Sequence, residues 1–417
     1  MDTAQADRLA AREHLRQHGW IARRSEAFHH LPPPALTHWL GEPAEEQAGA
    51  DCAAPPLAGA GWTLLPLQGQ GLGAGTAGGV DARWLDAADP AQRAQLFAGL
   101  PGPGEGEAAP FAWAHRALCR RGLRVHVAAR PGHEDELVCL ALRHQPHGPV
   151  EAPLLVLQLD PGVRVLLLET HERSSAGCRH AITQNLHAHI ELAPGARLEH
   201  LRVIQPGAED QLAHHIHARL ASGAHYAQAL VGQASAYHLQ RNSIEQAGAD
   251  SQARHAALLL AADGAQLDHQ VYSRMEQGHT RSDVESLVLA RGRARVVSNA
   301  HTRIAPGAGE ASLRQRLSGV PLAGQPRLIL RPHLEILHDN VQAAHGATWG
   351  ALPEDALFYA SQRGLSEAHA RTLIIDGMAR ALLERGLPDS PLLAQWLDSG
   401  ALAKAIGQVQ QVDEGAA

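Results

Sequence analysis

Between about Arg124 and Ile336 the hydrophobic pattern repeats every second residue. In Asn185–Leu192 (NLHAHIEL), Leu186, Ala188, Ile190 and Leu192 alternate with Asn185, His187, His189 and Glu191. In His215–Leu220, Ile216, Ala218 and Leu220 alternate with His215, His217 and Arg219. Neighbouring strand residues point to opposite faces, which predicts strands with the apolar set inside and the polar set in solvent. Turns with a central glycine separate them: PGV at 161–163, PGA at 194–196, SGA at 222–224, AGA at 247–249 and DGA at 263–265. The irregular intervals exclude a hexapeptide repeat. Strand-plus-turn units recurring through this region predict a β-solenoid or a large sandwich. The solenoid fits better, because each short strand stacks on its neighbours and needs no distant hairpin partner.

The flanks read as helical. Residues 1–50 are rich in helix formers, broken by Pro32-Pro33-Pro34, and Ala53–Pro110 contains GQGLGAGTAGG and PGPGEGE. That second stretch reads as poorly ordered connection around one short helix near Pro90–Gly99. Towards the C-terminus, Pro353, Glu354 and Asp355 open a helix that Gly364 closes. Ser366 caps a second, with Leu373, Ile374, Met378, Ala381 and Leu382 as its apolar stripe, and a third piece follows at Pro391–Ile406. The expected division is a helical region with its Gly/Pro-rich connection over 1–110, a β core over 111–350 and a helical domain over 351–417.

Composition narrows the function classes. The chain has 417 residues, 36 Lys+Arg and 43 Asp+Glu, for a formal charge of −7. That leaves no basic stripe for a nucleic-acid backbone. No apolar run reaches the length of about 18 residues that a membrane span needs. The opening MDTAQADRLA lacks the basic and apolar regions of a secretory signal, so the expected location is the cytoplasm. Histidines number 28 and cysteines 4, namely Cys52, Cys119, Cys139 and Cys178, with no C-x-x-C. A disulfide framework and a conventional zinc site are both disfavoured.

Candidate chemistry is sparse. The pairs His187/His189 and His215/His217 place imidazoles about 7 Å apart on one strand face. They read as solvent-facing, with a cupin-like metal-binding enzyme as the alternative, although the longer gap to a Glu and the upstream Gly of a cupin are missing. GLGAGTAG (Gly71–Gly78) lacks the Lys-Ser/Thr of a phosphate-binding loop and reads as linker. Cys178, beside Arg179, is the most exposed thiol candidate. A β-helix carbohydrate-active enzyme would need paired acids, whereas the strand faces carry mostly His, Gln and Arg; a repurposed β-helix carbohydrate-binding protein is the other alternative.

Pro332–Gly350, PHLEILHDNVQAAHGATWG, resembles the C-terminal signature of the SufB/SufD family of iron–sulfur cluster assembly scaffolds. Pro332, Leu334, Glu335, Ile336, Asp339, Val341, His345, Gly346, Ala347, Thr348 and Gly350 match it in register. LFYASQRGLSEAHAR (Leu357–Arg371) resembles the segment that follows, and GWIARRSEAF (Gly19–Phe28) an N-terminal one. Asp268-His269 and Gly292-Arg293-Ala294 fall at weaker family positions. The resemblance implies a right-handed parallel β-helix between helical domains, a non-catalytic scaffold, a SufB-like paralogue as heterodimer partner and a SufC-like ABC ATPase on the C-terminal helices. It implies no stably bound cofactor but a transient iron–sulfur cluster in the complex, and leaves a flavin there open.

His345 is then the metal candidate, facing a partner's cysteine, and Phe358, Tyr359, Arg363 and Gly364 mark the ATPase-docking region, with Phe358 inward and Arg363 outward. Ala343-Ala344 replace the family's Cys-Ser, Asn340 replaces one Asp of a pair, and Val296-Val297-Ser298-Asn299 and Ala311–Gly319 depart from two further motifs. With no cysteine after Cys178, the chain resembles the SufD-like branch and cannot supply the C-terminal thiolate itself.

Overall fold

The computed structural model describes residues 2–22, 24–41, 62–67, 79–132, 136–146, 148–173 and 180–410. Helices α1 (Thr3–His18) and α2 (Leu36–Leu40) precede strands β1 (Trp62–Pro66) and β2 (Val80–Asp86), then helices α3 (Pro90–Phe97) and α4 (Ala109–Leu118). The strand series continues with β3 (Arg121–Val127), β4 (Leu137–His144), β5 (Val150–Glu151), β6 (Leu154–Leu159), β7 (Arg164–Glu172), β8 (Thr183–Leu192) and β9 (Arg197–Gln205). Next come β10 (Gln211–Leu220), β11 (His225–Gln233), β12 (Tyr237–Gln246), β13 (Gln252–Ala261), β14 (Gln266–Met275) and β15 (Arg281–Gly292). The last strands are β16 (Arg295–Ile304), β17 (Ala311–Gly324), β18 (Arg327–Ile336) and β19 (Val341–Trp349). Helices α5 (Glu354–Ser361), α6 (Glu367–Gly386), α7 (Pro391–Asp398) and α8 (Ala401–Gln410) follow.

From β6 onward the chain alternates between two sheets, one running β4-β7-β9-β11-β13-β15-β17-β19 and the other β18-β16-β14-β12-β10-β8-β6-β3. The neighbours in these runs are parallel and in register, as where Leu212 meets Gln184 and Leu220 meets Leu192. The result is a β-solenoid of about eight turns with helices at both ends. The parallel ladder is not the antiparallel double sheet of a cupin, which removes that alternative. At the start, β1 and β2 pair antiparallel with β4 and β3 and extend the two sheets. The Gly/Pro-rich stretch therefore contains two strands that the composition concealed.

The glycine turns stack along one corner. Gly162 N donates to the Pro194 carbonyl at 3.0 Å, Gly195 N to Ser222 O at 2.9 Å and Gly223 N to Ala249 O at 2.9 Å. At Gly248 a Cβ would fall 2.0 Å from the Ser222 nitrogen, so only glycine lets these turns touch.

Both outer faces are covered. Leu201, Val203, Val231, Leu258, Leu260, Leu287 and Leu289 pack against Ile375, Ala379, Leu382, Leu383, Leu393 and Ile406 of the C-terminal helices. On the other sheet, Ala213, Tyr237, Leu239 and Val297 pack under Leu15, Phe28, Trp39 and Phe111. Each large apolar side chain so buried contributes about 1.5–3 kcal/mol. On α6 the buried stripe is Ala370, Ile375, Ala379, Leu382 and Leu383, while Leu373 is exposed. The expected stripe was thus rotated, because it took Leu373 and missed Ile375. The third helical piece is two helices, divided at Ser399-Gly400, with Gly400 at φ 75°.

Gly248→Ala should lower stability by about 3 kcal/mol, the range of a core overpacked with no room to relax. Gly264→Ala, with φ 73° but nothing within 4 Å, should cost only about 1 kcal/mol for the left-handed backbone. Urea unfolding midpoints measure both, and equal losses would contradict the turn contact.

Candidate functional site at the open end of the solenoid

The site is built by the last coil. β19 pairs with β17 so that Ala343, His345, Ala347 and Trp349 stand over Leu313, Gln315, Leu317 and Gly319. Those four β17 positions belong to the inward-facing set, and in earlier coils another strand covers the equivalents. β19 is the end of its sheet, so it is exposed from Gln342 through Trp349. Its neighbour in the other sheet, β18, is half-buried over most of its length. The turn between them is anchored where Glu310 N donates to Asn340 O at 2.7 Å and Asn340 N donates to His338 Nδ1 at 3.1 Å.

His345 is exposed, and nothing among the described residues hydrogen-bonds its ring. No group of three ligating side chains among the described residues includes it. One imidazole flanked by Ala343 and Ala344 offers one ligand bond and no thiolate. Cys119 and Cys139 do not help: both are buried, and burial pushes the Cys119 thiol up to about 12. Cys52, Cys178 and Gly71–Gly78 lie outside the described residues.

Beneath His345 runs an inward row that the sequence pattern did not reveal. In register it continues through Gln315, Val284, His255 and Gln228 to His200. Gln315 Nε2 donates to Thr302 Oγ1 at 2.9 Å, and His255 and His269 meet through their Nε2 atoms at 2.9 Å. At the deep end, Arg202 Nε donates to Glu169 Oε1 at 2.9 Å and His200 Nε2 to Glu169 Oε2 at 2.8 Å. His171 also reaches Glu169 Oε1, and Arg202 extends to Gln240 Oε1 at 2.6 Å and His214 Nδ1 at 3.0 Å. Glu169, His200 and Arg202 are fully buried. Burial alone would raise the Glu169 pKa, but the Arg202 charge and the two histidine hydrogen bonds outweigh it and hold the carboxyl well below its usual range. The available signal was E-x-H in β7 and H-x-R in β9, polar pairs on strand faces whose other inward positions, Val165, Leu167, Leu198 and Ile204, are apolar.

Two expectations change. Phe358 and Tyr359 are 66% and 58% exposed, so Phe358 does not point into the helical core. The Arg363 guanidinium lies 3.4 Å from the Tyr359 ring centroid, and Gly364 takes φ 81°. The H-x-H pairs are not a solvated face either: His187 and His215 are buried, and His189 and His217 half-buried. The signal was misread because the outer sheet face carries a helical layer that strand periodicity cannot show.

The fold and site together define a parallel β-solenoid with helical ends and an exposed last coil. The family described as SUF system FeS cluster assembly, SufBD core domain, matches residues 143–378, more than half of the chain. The chain belongs to the SufB/SufD family. An iron–sulfur cluster assembly SufBD family protein of Synechocystis is 23% identical over 240 residues, 56% of this chain and 52% of that protein. The iron–sulfur cluster assembly protein SufD of Escherichia coli is 25% identical over 228 residues, 51% of this chain and 52% of that protein. A SufBD family protein of Archaeoglobus fulgidus is 25% identical over 141 residues, 34% of this chain and 37% of that protein. The chain spans about half the length of the first two relatives. No helix among the described residues is long and apolar enough to cross a membrane.

Arg202→Ala leaves the Glu169 carboxylate buried without its cation and should cost about 3–5 kcal/mol. Because the Glu169 pKa is lowered on folding, its contribution is present above the usual carboxylate range and is lost as pH falls. Unfolding midpoints from neutral to acid pH should therefore drop for the wild type and drop less for Glu169→Gln. An identical slope would remove Glu169 from the account.

Proposed function

We propose that the chain is the SufD-like, non-catalytic scaffold subunit of a cytoplasmic iron–sulfur assembly complex. It pairs with a SufB-like paralogue through the open end of the solenoid and carries a SufC-like ABC ATPase on α5 and α6. The observation that carries this reading is the uncovered β19. Its free backbone edge and inward face present His345 and Trp349, the latter 76% exposed, where a second solenoid's last coil would complete the fold.

The cluster is cargo here. Imidazole is a suitable iron ligand and joins thiolate in mixed sites, so His345 would hold iron opposite a cysteine of the paralogue. One donor cannot retain a cluster, which agrees with transient occupancy. ATP-driven dimerisation of two ATPase subunits would strain the paired solenoids and open the shared interface. Phe358 and Tyr359, with Leu373 61% exposed on α6, supply the apolar anchors for the ATPase, and Arg363 stacked on Tyr359 fixes that ring.

Co-expression with candidate SufB and SufC chains tests the reading. All three should co-purify. His345→Ala should leave folding and complex formation unchanged and lower cluster yield, whereas full yield would exclude that role. Phe358→Asp with Tyr359→Ala should release the ATPase and retain the paralogue. A chain that captures neither partner would point to a β-helix with another use, such as carbohydrate binding.

A further inference from the structure

A second histidine cluster lies on the outer face of the ten-stranded sheet, away from β19. β8 and β10 pair so that His187 meets His215 and His189 meets His217. The two imidazole pairs stack with centroids 4.5 Å and 4.9 Å apart and interplanar angles of 14° and 16°. Across the diagonal, the His187 and His217 rings are 5.7 Å apart. One nitrogen from each of His187, His189 and His217 lies within 4.8 Å of the other two.

Two features separate this cluster from ordinary packing. His187 sits 4.5 Å from the His115 ring of α4, and its buried Nε2 has no hydrogen-bond partner among the described residues. His215 Nε2 is in the same condition. A buried polar nitrogen left without a partner is destabilising unless something coordinates it. His189 and His217 face outward, and the next outward residues on their strands, Glu191 and Arg219, line a cleft of about 580 Å³ with Arg124 and Gln158. The cleft begins one outward residue beyond the pair, and His189 and His217 themselves are half-buried rather than sealed.

The donor set is all imidazole. Hard cations such as Mg²⁺ and Ca²⁺ prefer oxygen, while imidazole suits Zn²⁺ and its first-row neighbours. Each imidazole presents one ring nitrogen that can turn its lone pair to a metal while the other keeps its proton. Zn–N bonds of about 2.0–2.1 Å require the three nitrogens to close to about 3.4 Å, a movement that ring rotation supplies. We propose that His187, His189 and His217 form a three-histidine site for a divalent transition metal, with Zn²⁺ the best geometric fit and a fourth position left to water. The proposal stands apart from the cluster-assembly reading.

Equilibrium dialysis of Zn²⁺ against the untagged, chelator-stripped full chain tests it. One Zn²⁺ should bind per chain, and His189→Ala and His217→Ala should each weaken binding at least tenfold. His338→Ala and His345→Ala should leave it unchanged. X-ray absorption of the Zn²⁺-loaded wild type, which depends on no variant, should show imidazole nitrogen at about 2.0–2.1 Å. The proposal is overturned by the absence of stoichiometric binding, by unchanged affinity in the His189→Ala/His217→Ala double variant, by loss of binding in His345→Ala, or by sulfur scatterers at the metal.

Discussion

Each coil of this protein is held by parallel, in-register backbone pairing to the coils on either side, and most other features follow from that constraint. A strand in such a stack offers hydrogen-bonding groups at both edges, so each end of the ladder is either covered or left open. At the N-terminal end, β1 and β2 turn antiparallel and α3 packs against β2. At the other end β18 and β19 have no successor. An exposed, flat edge strand invites pairing with another chain. The position that invites a partner is also the position that carries His345.

The same stacking explains the interior. A one-residue slip in register would turn every inward side chain outward, and here that would expose Leu198 and Ile204 together with His200 and Arg202. The Glu169–Arg202 pair contributes little net stability over a hydrophobic replacement, yet losing one partner is severe. It therefore penalises misregistered coils more than it stabilises correct ones. His171, His200, His214 and Gln240 complete the hydrogen bonding that a buried charge demands.

How much of this was readable from the chain depended on which neighbours each residue has. Leu186 to Leu192 and Ile216 to Leu220 announced strands, because alternation is a local property. The glycine turns marked the corners, although their irregular spacing hid how closely Gly248 and Ser222 approach. Ser366 signalled its helix through its cap, and Glu354 and Asp355 signalled theirs as acids in the first turn. By contrast, the burial of His187 and His215 is set by α4, and the placement of Glu169 by strands more than 30 residues away. β1 and β2 escaped notice because short strands among Gly and Pro have little pattern of their own. For the site, the motif around His345 was legible as a resemblance, but its exposure follows from the missing next coil, which no residue encodes.

The abundance of histidine and scarcity of cysteine resolves into three environments. His200, His214, His255 and His269 are buried interior hydrogen-bonding groups. His187, His189, His215 and His217 form a stacked array beneath α4, where the imidazoles themselves are the nearest polar partners. His345 alone of these stands exposed on a free edge. Neither described cysteine joins it, since Cys119 and Cys139 are buried thiols with raised pKa values. Imidazole count therefore says little about metal handling in this fold; the geometry around each ring separates a packed side chain from a clustered donor set and from a lone exposed imidazole.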